Sequence, residues 1–166
     1  MQELIVQHDA VATIHPDSVN TLRVMSLIIN NKVNIVSTVL RMGVGGNKVD
    51  NASAGGITCG VCEDGQLKKV AYSASGIKYD VHPQGYVFSN CVIPNYDKVK
   101  QLVVKCHEKM GHFRLVSWDI AIGADGEPIL IEANLRNGEC DFHQFNNGPL
   151  FGDLTETVLT EVFERK

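Results

Sequence analysis

The chain has 166 residues, 44% of them hydrophobic and 20% charged, enough to bury one core and too few for two comfortable domains. Fifteen Lys and Arg residues against nineteen Asp and Glu give a formal charge of -4, with neither sign gathered into a block, so no electrostatic nucleic-acid footprint is expected. No apolar run is long enough to span a bilayer, and the opening MQELIVQHDA lacks the basic-then-apolar order of a signal peptide. A single cytoplasmic domain over residues 1–166, without a membrane span, is the expectation.

In chain order, two-residue alternation and turn signals dominate first. TLRVMSLII and VNIVSTVLR flank Asn30, Asn31 and Lys32, and asparagine tolerates the positive φ of a tight hairpin. Arg23 and Arg41 stand on these two strands and share a face only if the turn takes three residues, Asn30 to Lys32; the register stays open. GITCGVCE and QLKKVAYSA flank Asp64-Gly65 as a second hairpin. Cys59 and Cys62 lie in its first strand with no helix starting behind them, which argues for buried, inert thiols rather than a redox pair, and a structural zinc site lacks a second ligand pair. The five cysteines, an odd number, also lack a disulfide framework.

After a turn-rich stretch, SGIKYDVHPQG, the segment YDKVKQLVVKCHEKM spaces Val99, Leu102, Val103, Cys106 and Met110 as the apolar stripe of a helix, which Gly111 stops. RLVSWDIAI and PILIEAN form a third hairpin around Asp125-Gly126, and a last helix opens with Asp153 and Glu156 as a capping pair and buries Leu154, Val158, Leu159 and Val162. The sum is an α+β fold, an antiparallel sheet built from hairpins and covered by at least two helices.

The third hairpin carries the strongest chemical signal. With Asp125 and Gly126 as a two-residue turn, Asp119 lies opposite Glu132. Alternation then puts Trp118, Ile120, Ile122, Ile129, Ile131 and Ala133 on a core face and Asp119, Glu132 and Asn134 on the other. Two facing carboxylates destabilise a sheet unless something neutralises them; with the Asn134 amide they make a hard oxygen set suited to Mg2+ or Mn2+. A solvated acidic face is the alternative. The glycine-rich RMGVGGNKVDNASAGG, with Lys48, Asp50, Asn51 and Ser53, can bring backbone N–H groups to an anion, or be a flexible connection. Arg23 and Arg41 suit phosphate or carboxylate, or rim salt bridges. Arg136 sits where a substrate contact would be useful, or is an exposed charge. His15, His82, His107 and His143 read as structural, and no serine or cysteine nucleophile with a base stands out.

The order TLRV, VLRMG, VDNASAGG, SWDIAI, IEANLRNG resembles the C-terminal half of ATP-grasp enzymes such as glutathione synthetase and D-alanine:D-alanine ligase, most closely the sugar-transfer-associated ATP-grasp proteins related to glutamate ligases. The resemblance implies ATP and Mg2+ (or Mn2+) as cofactors. It makes Asp119, Glu132 and Asn134 the metal ligands, places Arg23, Arg41, Asn51, Gly55 and Gly56 near phosphate or acyl-phosphate, and puts Glu3 at the hinge that meets adenine. It implies a carboxylate–amine or carboxylate–thiol ligase acting through an acyl-phosphate on a small-molecule carboxylate and an acceptor, in polysaccharide or peptide-type modification. A nucleotide-binding module without turnover and a kinase for a sugar hydroxyl are the alternatives. Two departures stand out: Met1 falls at the hinge, so the N-terminal half of the clasp is expected outside this chain, and Asn137-Gly138 replaces the Pro-Gly common in amino-acid ligases.

Overall fold

The computed structural model describes residues 4–50, 55–136 and 138–164. Helix α1 (Asp9–Ala12) leads into strands β1 (Thr21–Ile29) and β2 (Lys32–Met42), then β3 (Ile57–Val61), β4 (Leu67–Ser73) and the short β5 (Lys78–Tyr79). Helix α2 (Tyr96–Glu108), strands β6 (Leu115–Ile122) and β7 (Pro128–Asn134), and helices α3 (Cys140–Asn147) and α4 (Thr155–Glu164) follow. The seven strands among the described residues form one antiparallel sheet in the order β5-β4-β3-β2-β1-β6-β7. The fold is α+β, as expected. No helix among the described residues is long and apolar enough to cross a membrane.

Alternation gives the sheet two unlike faces. Leu22, Val24, Leu40, Met42, Ile57, Cys59, Trp118, Ile120 and Ile122 point to one of them and pack with Val99 and Val103 of α2 in the hydrophobic core. Leu102 and Cys106 complete the α2 stripe from the side, and Met110, in the turn just past the helix, packs there too. Trp118, wholly buried, donates from Nε1 to Ser26 Oγ at 2.7 Å, and His107 bonds the same hydroxyl at 2.8 Å through Nδ1. That settles the helix histidine as a packing residue. The opposite face carries Thr21, Arg23, Ser37, Arg41, Thr58 and Asp119, all buried, and α3 packs over its β2–β3–β4 side.

The tight hairpin turns rest on left-handed residues. Asn30 and Asn31, at φ 52° and 56°, make a two-residue turn with Ile29 paired to Lys32. The Asp-Gly loops are a residue longer. Cys62 N donates to Gln66 O and Gly123 N to Glu127 O, so Glu63-Asp64-Gly65 and Ala124-Asp125-Gly126 each bridge their strands, with the glycine left-handed. In both, the aspartate Oδ1 accepts from the backbone N–H two residues on.

Other sequence expectations need correction. Ile129 and Ile131 are exposed on β7, the edge strand, instead of lying in the core; only Ala133 packs partly against it. The last helix begins at Thr155, with Asp153 inside a preceding 3-10 turn (Gly152–Leu154), and none of its residues is buried: Leu159 and Val162 are exposed, because nothing in the described chain covers that side. Cys59 is buried and its thiol is pushed up to about 12 by burial, whereas Cys62 is only half-buried; all five cysteines are free thiols. Helices α1 and α3 were not legible in the sequence pattern, since each is shorter than three turns.

Candidate active site: an arginine–carboxylate cluster on the polar face

Two single-residue bulges assemble this site. Across β1 and β2 the two-residue turn alone would put Arg41 on the opposite face from Arg23, but pairing shifts between Met25/Ser37 and Ser26/Ile35, leaving Val36 as the extra residue. Beyond it Arg23 pairs with Val39 and Thr21 with Arg41, so both guanidiniums rise from one face. The same device acts across β6 and β7. The three-residue loop would set Asp119 opposite Ile131, but the register shifts between Asp119/Glu132 and Ile120/Leu130, leaving Ile131 extra. Glu132 is thereby turned to face Asp119, and Asn134 pairs with Ser117. Asp119 does lie opposite Glu132, but through a longer loop and a bulge whose effects on register cancel, not through the two-residue turn read from the sequence.

Arg23 and Asp119 are also direct partners across β1 and β6. Arg23 Nε donates to Asp119 Oδ1 at 2.8 Å and Nη2 to Oδ2 at 2.7 Å, a two-pronged pair, while Arg41 Nη1 reaches the same Oδ2 at 3.1 Å. All three residues are more than nine-tenths buried. The Asp119 charge is thus offset by two guanidiniums, a neutraliser the sequence reading did not foresee, and the arginines are buried ion-pair partners, not rim charges. Arg41 Nη2 also donates to Asp50 Oδ1 at 3.4 Å, and Asp50 Oδ2 accepts from Thr21 N at 3.1 Å and from the Thr21 hydroxyl. Burial raises the Asp50 carboxyl above its ordinary range, opposed by Arg41 and by the hydrogen bonds from Thr21. Arg23 Nη1 donates to Glu139 at the start of α3.

Around this centre, Glu132 is exposed, and its Oε1 accepts from Asn134 Nδ2 at 3.2 Å. Among the described residues no group of three or more His, Cys, Asp or Glu side chains comes together as a metal cluster; the metal set read from the sequence has two carboxylates and an amide. Gly55, left-handed at φ 89°, is exposed and Gly56 buried where the glycine-rich segment enters β3. Arg136 is an exposed residue at a bend, beside Ser117 and Asn134 on a cleft of about 160 Å³, with no polar contact to the cluster among the described residues. Glu3 and Asn51 lie outside the described residues.

The glycine-rich segment is anchored by two buried histidines. His82 donates from Nε2 to Gly43 O at 2.9 Å, a tautomer fixed by Nδ1 accepting from Gln84 N. His15 Nε2 meets Asn47 O at 3.0 Å. A β-carbon on Gly43 would come within 2.5 Å of the His15 ring, so only glycine fits. Asp50, farther along this segment, is thereby delivered to Arg41. A third buried histidine, His143 of α3, bonds Ser37 Oγ through Nδ1 at 2.7 Å and has no partner for Nε2 among the described residues. Burial pushes it down to about 4, the Arg23 charge adding to the effect and Asp119 opposing it.

Asp50, Glu139 and His143 were missed as site residues in the sequence. A signal existed only for Asp50, an acid between glycines just after Arg41. Glu139 and His143 depend on a short helix that has no long apolar period to announce it.

Opposite the edge of β7, residues Leu4 to Val6 and the Gly123–Asp125 loop enclose, with Ile129, Leu130 and Ile131, a mostly apolar cleft of about 640 Å³. The Gln7–Gly123 bridge and the His8 N to Ile122 O bond at 2.9 Å hold this N-terminal segment beside β6. An apolar cleft thus opens on β7, the same edge strand that carries Glu132 and Asn134. No curated protein and no solved structure matches the chain. The model of one protein family does, described as sugar-transfer associated ATP-grasp, over residues 1–158. With nearly its whole length matched, the chain belongs to the sugar-transfer associated ATP-grasp family.

Proposed function

We propose that residues 1–166 form the C-terminal subdomain of an ATP-grasp ligase, working in the cytoplasm on polysaccharide or peptide-type modification, whose polar sheet face receives the phosphates of ATP. The observation that carries this reading is the buried Arg23–Asp119–Arg41 cluster, set by two bulges beside Glu132 and Asn134. Charged side chains buried at this cost contribute little to stability compared with apolar residues of the same volume, which favours a functional reason for keeping them. The cleft against Leu4–Val6 has the apolar lining a purine needs, with Glu3 assigned to its polar edge.

Asp119, Glu132 and Asn134 fit a hard divalent cation by their chemistry, since they offer carboxylate and amide oxygens on one face and Glu132 already adjoins Asn134. Bound there, Mg2+ or Mn2+ would offset negative charge as the γ-phosphoryl group moves. The other work falls to the protein. Arg41, its planar donors held by Asp119 and Asp50, is assigned to the phosphoryl oxygens, Arg23 to the acyl-phosphate and the substrate carboxylate from which it forms, and the amides around Gly55 and Gly56, with Asn51, to the phosphate chain. In the reaction a substrate carboxylate oxygen bonds to the γ-phosphorus as the bridging oxygen leaves with ADP. An amine or thiol then bonds to the acyl carbon and gives up its proton to solvent, and phosphate departs as its C–O bond breaks. Arg136, exposed beside Asn134 on the small cleft, is assigned to the substrate.

An ADP-release screen of the intact protein against carboxylate, amine, thiol and sugar combinations tests this reading. ADP should form only when a carboxylate is present, and that carboxylate should end as an amide or thioester of the acceptor. Release of ADP with a sugar alone, leaving a sugar phosphate, would replace the ligase with a kinase.

A further inference from the structure

Arg23 has two hydrogen-bonding edges, and they are used differently. The Nε/Nη2 edge is spent on Asp119, at 2.8 and 2.7 Å, with both side chains buried. The Nη1/Nη2 edge is a second fork of the kind that takes both oxygens of a carboxylate or phosphoryl group. Its only described occupant is one oxygen of Glu139, a side chain 43% exposed, so this edge faces the solvent side of the cluster.

Three observations mark Glu139 as an occupant and not a structural partner. Charge balance does not require it: Arg23 and Arg41 are already matched, charge for charge, by the buried Asp119 and Asp50. It does not cap α3 either; although it stands at the N-cap position, its side chain makes no capping hydrogen bond. Its backbone is left-handed, at φ 52° and ψ 55°, a conformation that a β-carbon disfavours. The preceding Gly138 fits tightly, since a β-carbon there would come within 2.9 Å of Ser117 Oγ and 3.0 Å of Met25 Cε. A carboxylate is thus held over a guanidinium fork by a residue in a strained backbone conformation.

We propose that Glu139 is a built-in stand-in for an anionic ligand on Arg23, and that the carboxylate of the small-molecule substrate displaces it. The identity of that ligand rests on the ligase reading above; the displaceable fork does not. Glu139 lowers the apparent affinity for an anion by the fraction of time it fills the fork. Withdrawing it should therefore raise affinity, an effect that damage to the fold does not produce.

The test is an NMR titration of the 15N-labelled chain with acetate and, separately, inorganic phosphate, at fixed ionic strength and without nucleotide. Glu139→Asn is the informative variant, because asparagine tolerates the left-handed conformation but is too short to reach Arg23. It should bind acetate about threefold to tenfold tighter than the wild type, as expected for loss of a half-exposed competing ion pair. Asp141→Asn removes the same charge from the first turn of α3 without touching Arg23 and should change affinity less than twofold or so. In Glu139→Asn/Arg23→Lys the gain should vanish, since lysine keeps the charge but not the fork. The proposal is overturned if Glu139→Asn binds no tighter than Asp141→Asn or if the gain survives Arg23→Lys. A gain for phosphate but not acetate overturns the carboxylate assignment. As no nucleotide is added, a failed ADP-release screen would leave these outcomes unchanged.

Discussion

The two faces of the sheet are built on opposite principles. Under α2 the face is apolar and closed, with Leu22, Leu40, Ile120 and Trp118 each at 1% exposure or less. The opposite face is just as buried but charged, with Arg23, Arg41, Asp50 and Asp119 locked together. Burial of the first set drives folding, at about 1.5 to 3 kcal/mol for each large side chain. Burial of the second costs desolvation that its ion pairs only recover. The difference separates the face that holds the domain together from the face proposed to act, and each answers to a different perturbation.

The largest effect belongs to the apolar face. Trp118→Ala should lose about 3 to 5 kcal/mol in denaturant unfolding, because it empties the core and takes from the Ser26 hydroxyl one of its two hydrogen-bond partners. On the charged face Asp119→Ala should cost a similar amount, about 3 to 5 kcal/mol, for an electrostatic reason: two buried guanidiniums lose their shared counter-charge. The double variant Arg23→Met/Asp119→Leu separates the two faces. It should regain at least about half of that loss while ligand binding stays abolished, whereas no second substitution that keeps the α2 face apolar should restore function. If the double variant is as unstable as Asp119→Ala, the charged face is structural after all.

A smaller effect is set by pH. His143 is held down to about 4 in the folded chain against an ordinary value near 6.5. The unfolded chain therefore takes up the proton first as pH falls, and stability contributed by neutral His143 is present above pH 6.5 and lost between about 6.5 and 4. The shift corresponds to about 3 kcal/mol. Unfolding free energies of His143→Gln should lack that part of the slope, while His82, also shifted down by burial, keeps its own part with the same sign. A His143→Gln slope matching the wild type would remove the claim that this histidine is buried neutral. The smallest effect lies outside both faces: Leu159→Gln on α4 should change stability by no more than about 0.5 kcal/mol, since that side chain is half exposed and the helix buries nothing.

How much of this was legible in the sequence differs between the faces as well. The apolar face was, because Val99, Leu102 and Val103 at helical spacing and Trp118, Ile120 and Ile122 at alternate positions need only a period. The edge strand misled, as Ile129 and Ile131 alternate like core residues yet lie on the open side of β7. The charged face was half legible. Asp119, Glu132 and the two arginines were found, but Val36 and Ile131, the bulge residues that bring them to one face, look like any other strand residue. Period-two reasoning cannot see an inserted residue; it succeeded at Asp119 because the longer loop and the bulge offset one another.

The central claim is that this bulge-built face holds a divalent cation together with ATP, and Mn2+ binding followed by EPR tests it most directly. Titrations with and without a non-hydrolysable ATP analogue should show Mn2+ taken up strongly only with the nucleotide, because Asp119 on its own is held by Arg23 and Arg41. Glu132→Gln, which keeps shape but removes the exposed carboxylate facing Asp119, should weaken that uptake at least about tenfold while the protein melts no lower than wild type in the absence of metal. Equal Mn2+ uptake by wild type and Glu132→Gln, with the nucleotide present, would place the cation elsewhere and contradict the assignment of this face.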